Sequence, residues 1–226
     1  MTMPISLFPP RRRAAMLAAL LVLAALLSAS VAHALGAKEA RTVKQISDFF
    51  NGFRTLSGEF TQISPRGRVS TGKFYISKPG RMRFEYSPPN PFVIVSDGTW
   101  VAVRNNARDT VDYYPLSKTP LRMVLAKRVN LMRDAVIHKV EEREGLSIVT
   151  LEDRDKMVPG HLVLIYDNGR KTLQQWVVVD GQGRRTTVSL NRMRAGTKLS
   201  AKLFHVTRPG MGKKKRAKTN FSSARK

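Results

Sequence analysis

The sequence predicts a mainly β protein: an incomplete antiparallel β-barrel of about eleven strands, closed by a helical lid over a hydrophobic cavity. Three observations support this fold class. Apolar and polar residues alternate with a period of two through most of residues 58–191, as they do in strands that bury one face. The alternating segments are short and are separated by turn residues. No strand–helix–strand unit is visible, which favours an antiparallel meander over a parallel sheet.

Each predicted strand is bounded by residues that favour tight turns. Examples are Lys78-Pro79-Gly80, Asp97-Gly98 and Asp180-Gly181-Gln182-Gly183, which supply the backbone conformations that such turns need. The predicted strands cover residues 58–64, 69–77, 81–86, 92–96, 99–104, 109–114, 135–143, 146–152, 161–167, 173–179 and 185–191.

Two segments show helical rather than alternating periodicity. In residues 38–55 an apolar stripe recurs every three or four positions, which predicts a helix before the sheet. In residues 120–133 Pro120 suits a first helical turn, and Leu121 and Leu125 belong to a second stripe. This second segment interrupts the strands, so we expect one or two helices there that close over the sheet as a lid.

The two ends of the chain differ from its middle. Residues 1–34 read as a cleavable secretory signal peptide, with Arg11-Arg12-Arg13, an apolar run and Ala32-His33-Ala34 as the cleavage pattern. An uncleaved membrane anchor remains the alternative, because the apolar stretch continues to Val31. We assign residues 35–207 to the half-barrel domain and 208–226 to a basic, disordered tail.

The net charge of +24 raises the question of an anionic partner. The tail holds eight of the 40 basic residues and no acidic one, while residues 35–207 hold 29 basic and 16 acidic residues. Export argues against nucleic acid as a partner, so we expect none. We expect transient contact of the tail with an anionic membrane surface, and a merely solubilising tail is the alternative.

Residues 72–86 are the most informative segment for a binding site. Alternation places Phe74 and Ile76 on one face, and Met82, Phe84 and Tyr86 on one face across the turn. An ordinary packed core would show the same pattern. A curved sheet of eleven strands, however, has a larger inner face than two helices can cover, which predicts a cavity for an apolar ligand.

The same segments resemble a known family, the outer-membrane lipoprotein carriers, LolA. The likeness covers most of residues 40–205 and rests on the order and spacing of its motifs. These are Gly58-Glu59-Phe60-Thr61-Gln62, the run 72–86, Phe92-Val93-Ile94-Val95-Ser96-Asp97-Gly98, Asp112-Tyr113-Tyr114-Pro115, Lys118-Thr119-Pro120-Leu121 and Gln174-Gln175-Trp176.

The resemblance implies a periplasmic protein of a Gram-negative bacterium that carries acylated lipoproteins. Its implied partners are an inner-membrane ABC transporter, which supplies the cargo, and an outer-membrane receptor, which accepts it; we expect the carrier to be a monomer. The acyl chains would enter a cavity whose lining we predict to be Phe60, Phe74, Ile76, Met82, Phe84, Tyr86, Phe92, Ile94, Leu121 and Leu125.

The family has an arginine before a proline that bonds to the lid and keeps the empty carrier closed. Lys78 stands at this position, before Pro79, and lysine lacks the planar donor fork of arginine. We predict that Lys78 bonds to carbonyl groups in the segment 121–125 of the empty protein. A solvated turn residue is the alternative.

Other functions are less well supported by the residues. The chain contains no nucleophile elbow, phosphate loop or zinc-protease motif, so we expect neither an enzyme nor a cofactor. Glu152, Asp153 and Asp155 lack the spacing of a calcium loop and predict a solvated loop. A receptor or a general periplasmic lipid-binding protein is the closest alternative, although the absence of cysteine argues against a lipidated receptor.

Overall fold

The computed structural model describes residues 35–155 and 159–206. Helix α1 (Ala37–Asn51) precedes the sheet, and two short helices, α2 (Leu121–Val124) and α3 (Leu131–Asp134), interrupt it. The strands are β1 (Thr55–Ile63), β2 (Val69–Ser77), β3 (Arg81–Tyr86), β4 (Phe92–Asp97), β5 (Trp100–Asn105), β6 (Thr110–Pro115), β7 (Ala135–Arg143), β8 (Leu146–Asp153), β9 (Gly160–Asp167), β10 (Thr172–Asp180) and β11 (Arg185–Ala195).

All eleven strands form one antiparallel sheet in the order β6-β5-β4-β3-β2-β1-β11-β10-β9-β8-β7. Consecutive strands pair with each other within β1–β6 and within β7–β11, and β1 also pairs with β11. The two edge strands, β6 and β7, do not pair with each other, so the sheet remains open. The predicted mainly β, antiparallel, incompletely closed architecture is confirmed.

The distance between two aromatic rings on the inner face shows that the sheet is strongly curved. Phe84 lies in β3 and Trp176 in β10, four strand spacings apart, or about 19 Å along a flat sheet. Their ring centroids are only 6.0 Å apart. The sheet therefore wraps around its inner face and brings strands from its two halves into contact.

Helix α1 ends earlier than its apolar stripe predicts. Val43, Ile46 and Phe50 are buried and account for the stripe. The N–H of Gly52 donates to the carbonyls of Asp48 and Phe49 and closes the last turn, so the predicted end at residue 55 is wrong. Glycine is a poor helix former and commonly ends helices, which explains the earlier stop.

A glycine allows one aromatic ring to lie directly on the sheet. At Gly72 in β2, an added Cβ would lie 2.6 Å from the ring of Phe60 and 2.0 Å from the carbonyl oxygen of Glu85. Any larger residue would displace both groups. Gly72 therefore makes room for Phe60, whose ring is fully buried.

The 3-10 turn Ala201–Phe204 follows the sheet and packs near β3 and β4. Arg83 donates a hydrogen bond of 3.2 Å to the carbonyl of Leu203, and the guanidinium of Arg81 lies 5.7 Å from the ring centroid of Phe204. The predicted signal peptide (1–34) and basic tail (208–226) lie outside the described residues.

Candidate functional site

The inner face of the sheet carries a cluster of aromatic rings. Phe84 lies 4.9 Å from Phe60 and 5.8 Å from Phe74, measured between ring centroids. The first contact is edge-to-face and the second is stacked, both favourable arrangements for aromatic pairs. Trp176 of β10 completes the cluster. All four side chains are buried, so the centre of the inner face is filled by aromatic side chains.

Beyond this cluster, one end of the inner face is open. A cavity of about 570 Å³ lies there, within the range of about 300–1,000 Å³ typical of small-ligand pockets. Its apolar wall includes Tyr86, Phe92, Ile94 and Val103, and Gln62, Ser70 and Thr71 add polar groups. We call this space the open pocket. It continues the buried aromatic face towards solvent.

Tyr86 stands between the aromatic cluster and the open pocket. Its ring packs at 5.0 Å from Phe60, and its hydroxyl donates to the side-chain oxygen of Gln62 at 2.7 Å. Burial raises the pKa of Tyr86 to about 12, and the bond to Gln62 opposes this only in part. Tyr86 therefore presents an un-ionised phenol at neutral pH.

The lid is the segment 116–134, which contains α2 and α3. The N–H of Gly80, in the β2–β3 turn, donates to the carbonyl of Leu125 at 2.8 Å. At the other end, the side chain of Asn51 donates to the carbonyl of Val129 and accepts from its N–H, both at 2.8 Å. The N–H of Leu131 donates to the hydroxyl of Ser47. The lid is thus tied to the sheet and to α1.

Lys78 is buried, with 5 % of its surface exposed. Its amino group donates to the carbonyl of Phe50 at 2.6 Å and lies 5.4 Å from the ring centroid of Phe53. The predicted bonds to carbonyls of segment 121–125 are wrong, as is the alternative of a solvated turn residue. The last turn of a helix leaves carbonyls unpaired and carries partial negative charge, so α1 offers the better acceptor.

One contact of the lid was not predicted from the sequence. Arg122 of α2 binds the carboxylate of Asp153 through two nitrogens and that of Asp155 at 2.9 Å. The Asp153 side chain is only 1 % exposed, so the expectation of a solvated loop is wrong for this residue. Hydrogen bonds to Asp153 are the main cause of the raised pKa of Arg122. The only sequence signal was an arginine in the lid and an acidic cluster about thirty residues later.

Comparison with known sequences identifies the family. The family model described as outer membrane lipoprotein carrier protein LolA matches residues 51–207, which include the whole sheet, the lid and the contact of Arg122 with Asp153. The chain belongs to the LolA family. An outer-membrane lipoprotein carrier protein of Methylibium petroleiphilum is 29% identical over 190 residues, covering 80% of this chain and 92% of the relative.

Another relative and two solved structures are also similar to this chain. A carrier protein of the same description from Methylococcus capsulatus is 29% identical, over 76% of this chain and 88% of its own. Among solved structures, a LolA superfamily protein from Nitrosomonas europaea is 11% identical, with a TM-score of 0.45, over 74% of this chain and 97% of its own. A putative outer membrane lipoprotein-sorting protein domain from Vibrio parahaemolyticus has a TM-score of 0.46 at 10% identity, over 75% of this chain and 97% of its own.

The ten residues predicted to line the cavity fall into three groups in this LolA family member. Five are buried in and around the aromatic cluster: Phe60, Phe74, Ile76, Met82 and Phe84. Three line the open pocket: Tyr86, Phe92 and Ile94. Two belong to the lid, where Leu125 is buried and Leu121 is half-buried.

Two other kinds of site are absent from the described residues. Residues 35–155 and 159–206 contain no group of three or more His, Asp or Glu side chains that could hold a metal ion. Within the same ranges, no helix has the length and apolar character needed to cross a bilayer.

Proposed function

We propose that this LolA family member is a periplasmic carrier that binds the acyl chains of lipoproteins against the inner face of its sheet. It would receive lipoproteins from an inner-membrane ABC transporter and deliver them to an outer-membrane receptor. The observation that carries this proposal is the continuity of the inner face. Apolar side chains extend without a break from Ile94 in the open pocket to Phe84 and Trp176 beneath it.

The energetics require such a surface. Burying a methylene group stabilises by about 0.8 kcal/mol, so a single acyl chain exposed to water costs on the order of 10 kcal/mol. A carrier that crosses an aqueous compartment must offset most of this cost. The ten proposed lining residues include four Phe, one Tyr and one Met, and the unbranched Met adapts to ligands of varied shape.

The lid contacts suit a protein that opens and closes. The closed lid is held by a small number of polar contacts, chiefly those of Asn51, Gly80 and Arg122. A neutral hydrogen bond contributes about 0.5–1.5 kcal/mol net, so the energy of an entering acyl chain would exceed the cost of breaking several of them. In the proposed carrier, binding of an acyl chain would open the lid and separate the aromatic rings.

The remaining parts of the proposal concern the chain ends. A cleaved signal peptide in residues 1–34 would deliver the protein to the periplasm. The basic tail, residues 208–226, would contact anionic lipid surfaces. Deletion of the tail should therefore weaken binding to anionic vesicles at low salt.

Release from inner membranes tests the carrier function. Inner-membrane vesicles that hold newly acylated lipoproteins, the transporter and ATP are incubated with the purified protein. A carrier should bring lipoproteins into the soluble fraction as a complex with itself. A passive lipid-binding protein, the alternative function, would leave them in the membrane, and that result would reject the proposal.

A pocket-filling variant tests the site. Ile94→Trp should occupy part of the open pocket and weaken binding of a triacylated lipopeptide by roughly tenfold or more, equivalent to at least about 1.4 kcal/mol. Val111→Trp is the matched control, because Val111 lines a separate cavity of about 300 Å³ together with Val93, Val95 and His205. Equal effects of the two variants would exclude the open pocket as the acyl site.

A further inference from the structure

Exposed apolar side chains are concentrated at one end of the sheet. Five large hydrophobic residues are exposed among the described ranges, and three of them, Ile63, Val69 and Phe92, lie at this end. Ile63 and Val69 face each other across β1 and β2 at the start of their hairpin. Phe92 is the first residue of β4, directly after the β3–β4 loop. We call the hairpin 63–69 and the loop 87–92 the apolar rim.

The apolar rim also carries positive charge and contains no acidic residue. Arg66 and Arg68 are exposed at the tip of the hairpin, between Ile63 and Val69. Residues 60–72 and 86–96 contain no Asp or Glu. Apolar and cationic side chains that share one short segment are typical of surfaces that lie in the interface of an anionic bilayer.

The backbone of the β3–β4 loop is suited to a medium with little water. Pro88, Pro89 and Pro91 have no N–H group to satisfy. The other three N–H groups are bonded within the protein: Ser87 to the carbonyl of Thr71, Asn90 to the carbonyl of Ser87, and Phe92 to the side chain of Asn90. An unpaired N–H is costly in hydrocarbon, and this loop leaves none unpaired.

The apolar rim borders the mouth of the open pocket. Arg68, Val69 and Phe92 belong to both. Contact of the rim with a bilayer would therefore place the pocket mouth at the level of the acyl chains, and a chain could enter with little exposure to water.

We propose that the apolar rim is a docking surface for anionic lipid bilayers, with Val69 and Phe92 entering the interface and Arg66 and Arg68 binding lipid phosphates. This inference goes beyond the carrier function. It is tested with protein-free vesicles and no lipoprotein, so its failure and that of the carrier function are distinguishable.

The first experiment measures co-flotation of the full exported chain with phosphatidylglycerol-containing vesicles. Arg66→Ala/Arg68→Ala should reduce the bound fraction, with a partition coefficient lower by roughly tenfold or more. The matched control is Arg143→Ala/Arg170→Ala, which removes two exposed arginines from the β7–β8 and β9–β10 turns. Because the basic tail is present in every variant, its contribution cancels from the comparison.

The apolar part has its own matched pair. Val69→Ser/Phe92→Ser should weaken vesicle binding, whereas Tyr114→Ser/Met132→Ser, which removes the other two exposed hydrophobics, should not. All four of these side chains are exposed, and unchanged circular dichroism would establish that both variants are folded. Binding that is equal for rim and control variants would overturn the proposal.

A third measurement locates the contact directly. The chain contains no cysteine, so Val69→Cys gives a single site for an environment-sensitive fluorophore, and Tyr114→Cys gives a control at the far end of β6. The fluorescence emission of the label at residue 69 should shift to the blue with phosphatidylglycerol vesicles and remain unchanged with phosphatidylcholine vesicles. A label that responds only to membranes containing protein, and no longer after protease treatment, would assign the rim to a protein partner and reject lipid docking.

Discussion

The amino group of Lys78 lies 2.6 Å from the carbonyl oxygen of Phe50 and joins the β2–β3 turn to the last turn of α1. The same turn reaches the lid through the bond from the Gly80 N–H to the Leu125 carbonyl. One short turn therefore contacts both elements that cover the inner face. In the proposed carrier, this turn couples the position of α1 to that of the lid.

Replacement of Lys78 by Met should loosen the lid. The carbonyl of Phe50 loses its side-chain partner, and a hydrogen bond of this kind contributes about 1 kcal/mol. Hydrogen exchange of the Gly80 and Val129 amides should accelerate by roughly fivefold. Lys73→Met is the control, because Lys73 is exposed on β2, the strand that precedes the turn. Unchanged hydrogen exchange at both amides in Lys78→Met would contradict a role of Lys78 in holding the lid closed.

Lys78 should also make stability depend on alkaline pH. Burial lowers the pKa of Lys78 below 10.5, so between the lowered value and 10.5 the unfolded chain binds more protons at this site than the folded protein. Stability should therefore rise with pH across this window. Unfolding of the wild type and of Lys78→Met, compared at a series of pH values, isolates the contribution. A difference that falls as pH rises would contradict this sign.

Tyr86 should make folding stability fall as pH rises, which is opposite in sign to the contribution of Lys78. Its pKa of about 12 in the folded protein exceeds the ordinary 10.0. Its contribution to stability is present below pH 10 and is lost as pH rises from 10 to 12, by up to about 2–3 kcal/mol. Denaturant titrations of Tyr86→Phe should show a correspondingly smaller loss over this range. Parallel curves for wild type and variant would rule out a buried, un-ionised Tyr86.

The contact of Arg122 with Asp153 should be the strongest polar contact of the lid. Arg122→Met leaves a buried carboxylate without its partner, which costs about 3–5 kcal/mol, measured as the free energy of unfolding. Asp155→Asn should cost less than about 1 kcal/mol, because the Asp155 side chain is 64% exposed.

A double variant separates the charge from the packing. Arg122→Met/Asp153→Leu should recover most of the stability lost in Arg122→Met, since no unpaired buried charge remains. Limited proteolysis between α2 and α3 should follow the same order. If Asp155→Asn and Arg122→Met prove equally destabilising, the bond of Arg122 to the buried Asp153 contributes no more to stability than its bond to the exposed Asp155.

Gly72→Ala should be strongly destabilising for steric reasons alone. Its Cβ would overlap the Glu85 carbonyl and the Phe60 ring, and overpacking of this kind costs about 3 kcal/mol or more. Gly169→Ala is the control, because its added Cβ would lie 3.4 Å from the nearest atom, a side-chain oxygen of Asp167. Thermal unfolding of both variants provides the measurement. A small effect at Gly72 would mean that the Phe60 ring is free to move aside.

The sequence predicted β7 at its observed bounds, and β2 and β3 likewise. It placed the inward-facing residues of β2 and β3 correctly, because alternation directly reports which side chains share a face. It was less accurate where an end depends on one bond: α1 stops at Gly52 rather than residue 55, and β11 continues to Ala195 rather than Asn191. Such ends depend on individual hydrogen bonds, which the spacing of apolar residues does not predict.

For the candidate site, the sequence identified which residues face inward, but not which of them are buried in the aromatic cluster and which line the open pocket. Phe84 and Ile94 pair directly across β3 and β4, yet Phe84 is buried in the aromatic cluster and Ile94 lines the open pocket. The difference arises because Trp176, from the other half of the sheet, packs on Phe84. Curvature of the whole sheet brings Trp176 to Phe84, and this curvature cannot be predicted from a local sequence pattern.

The sequence by itself therefore determined the number of strands, the antiparallel pairing of strands joined by short turns and the apolar inner face, since each depends on residues within a few positions of one another. Tertiary structure alone decided that Lys78 binds α1 and that Arg122 reaches Asp153. Those partners are 28 and 31 residues away along the chain. They meet only after the sheet has curved and the lid has closed, because side-chain bonds of a few ångströms depend on the summed twist of many strands.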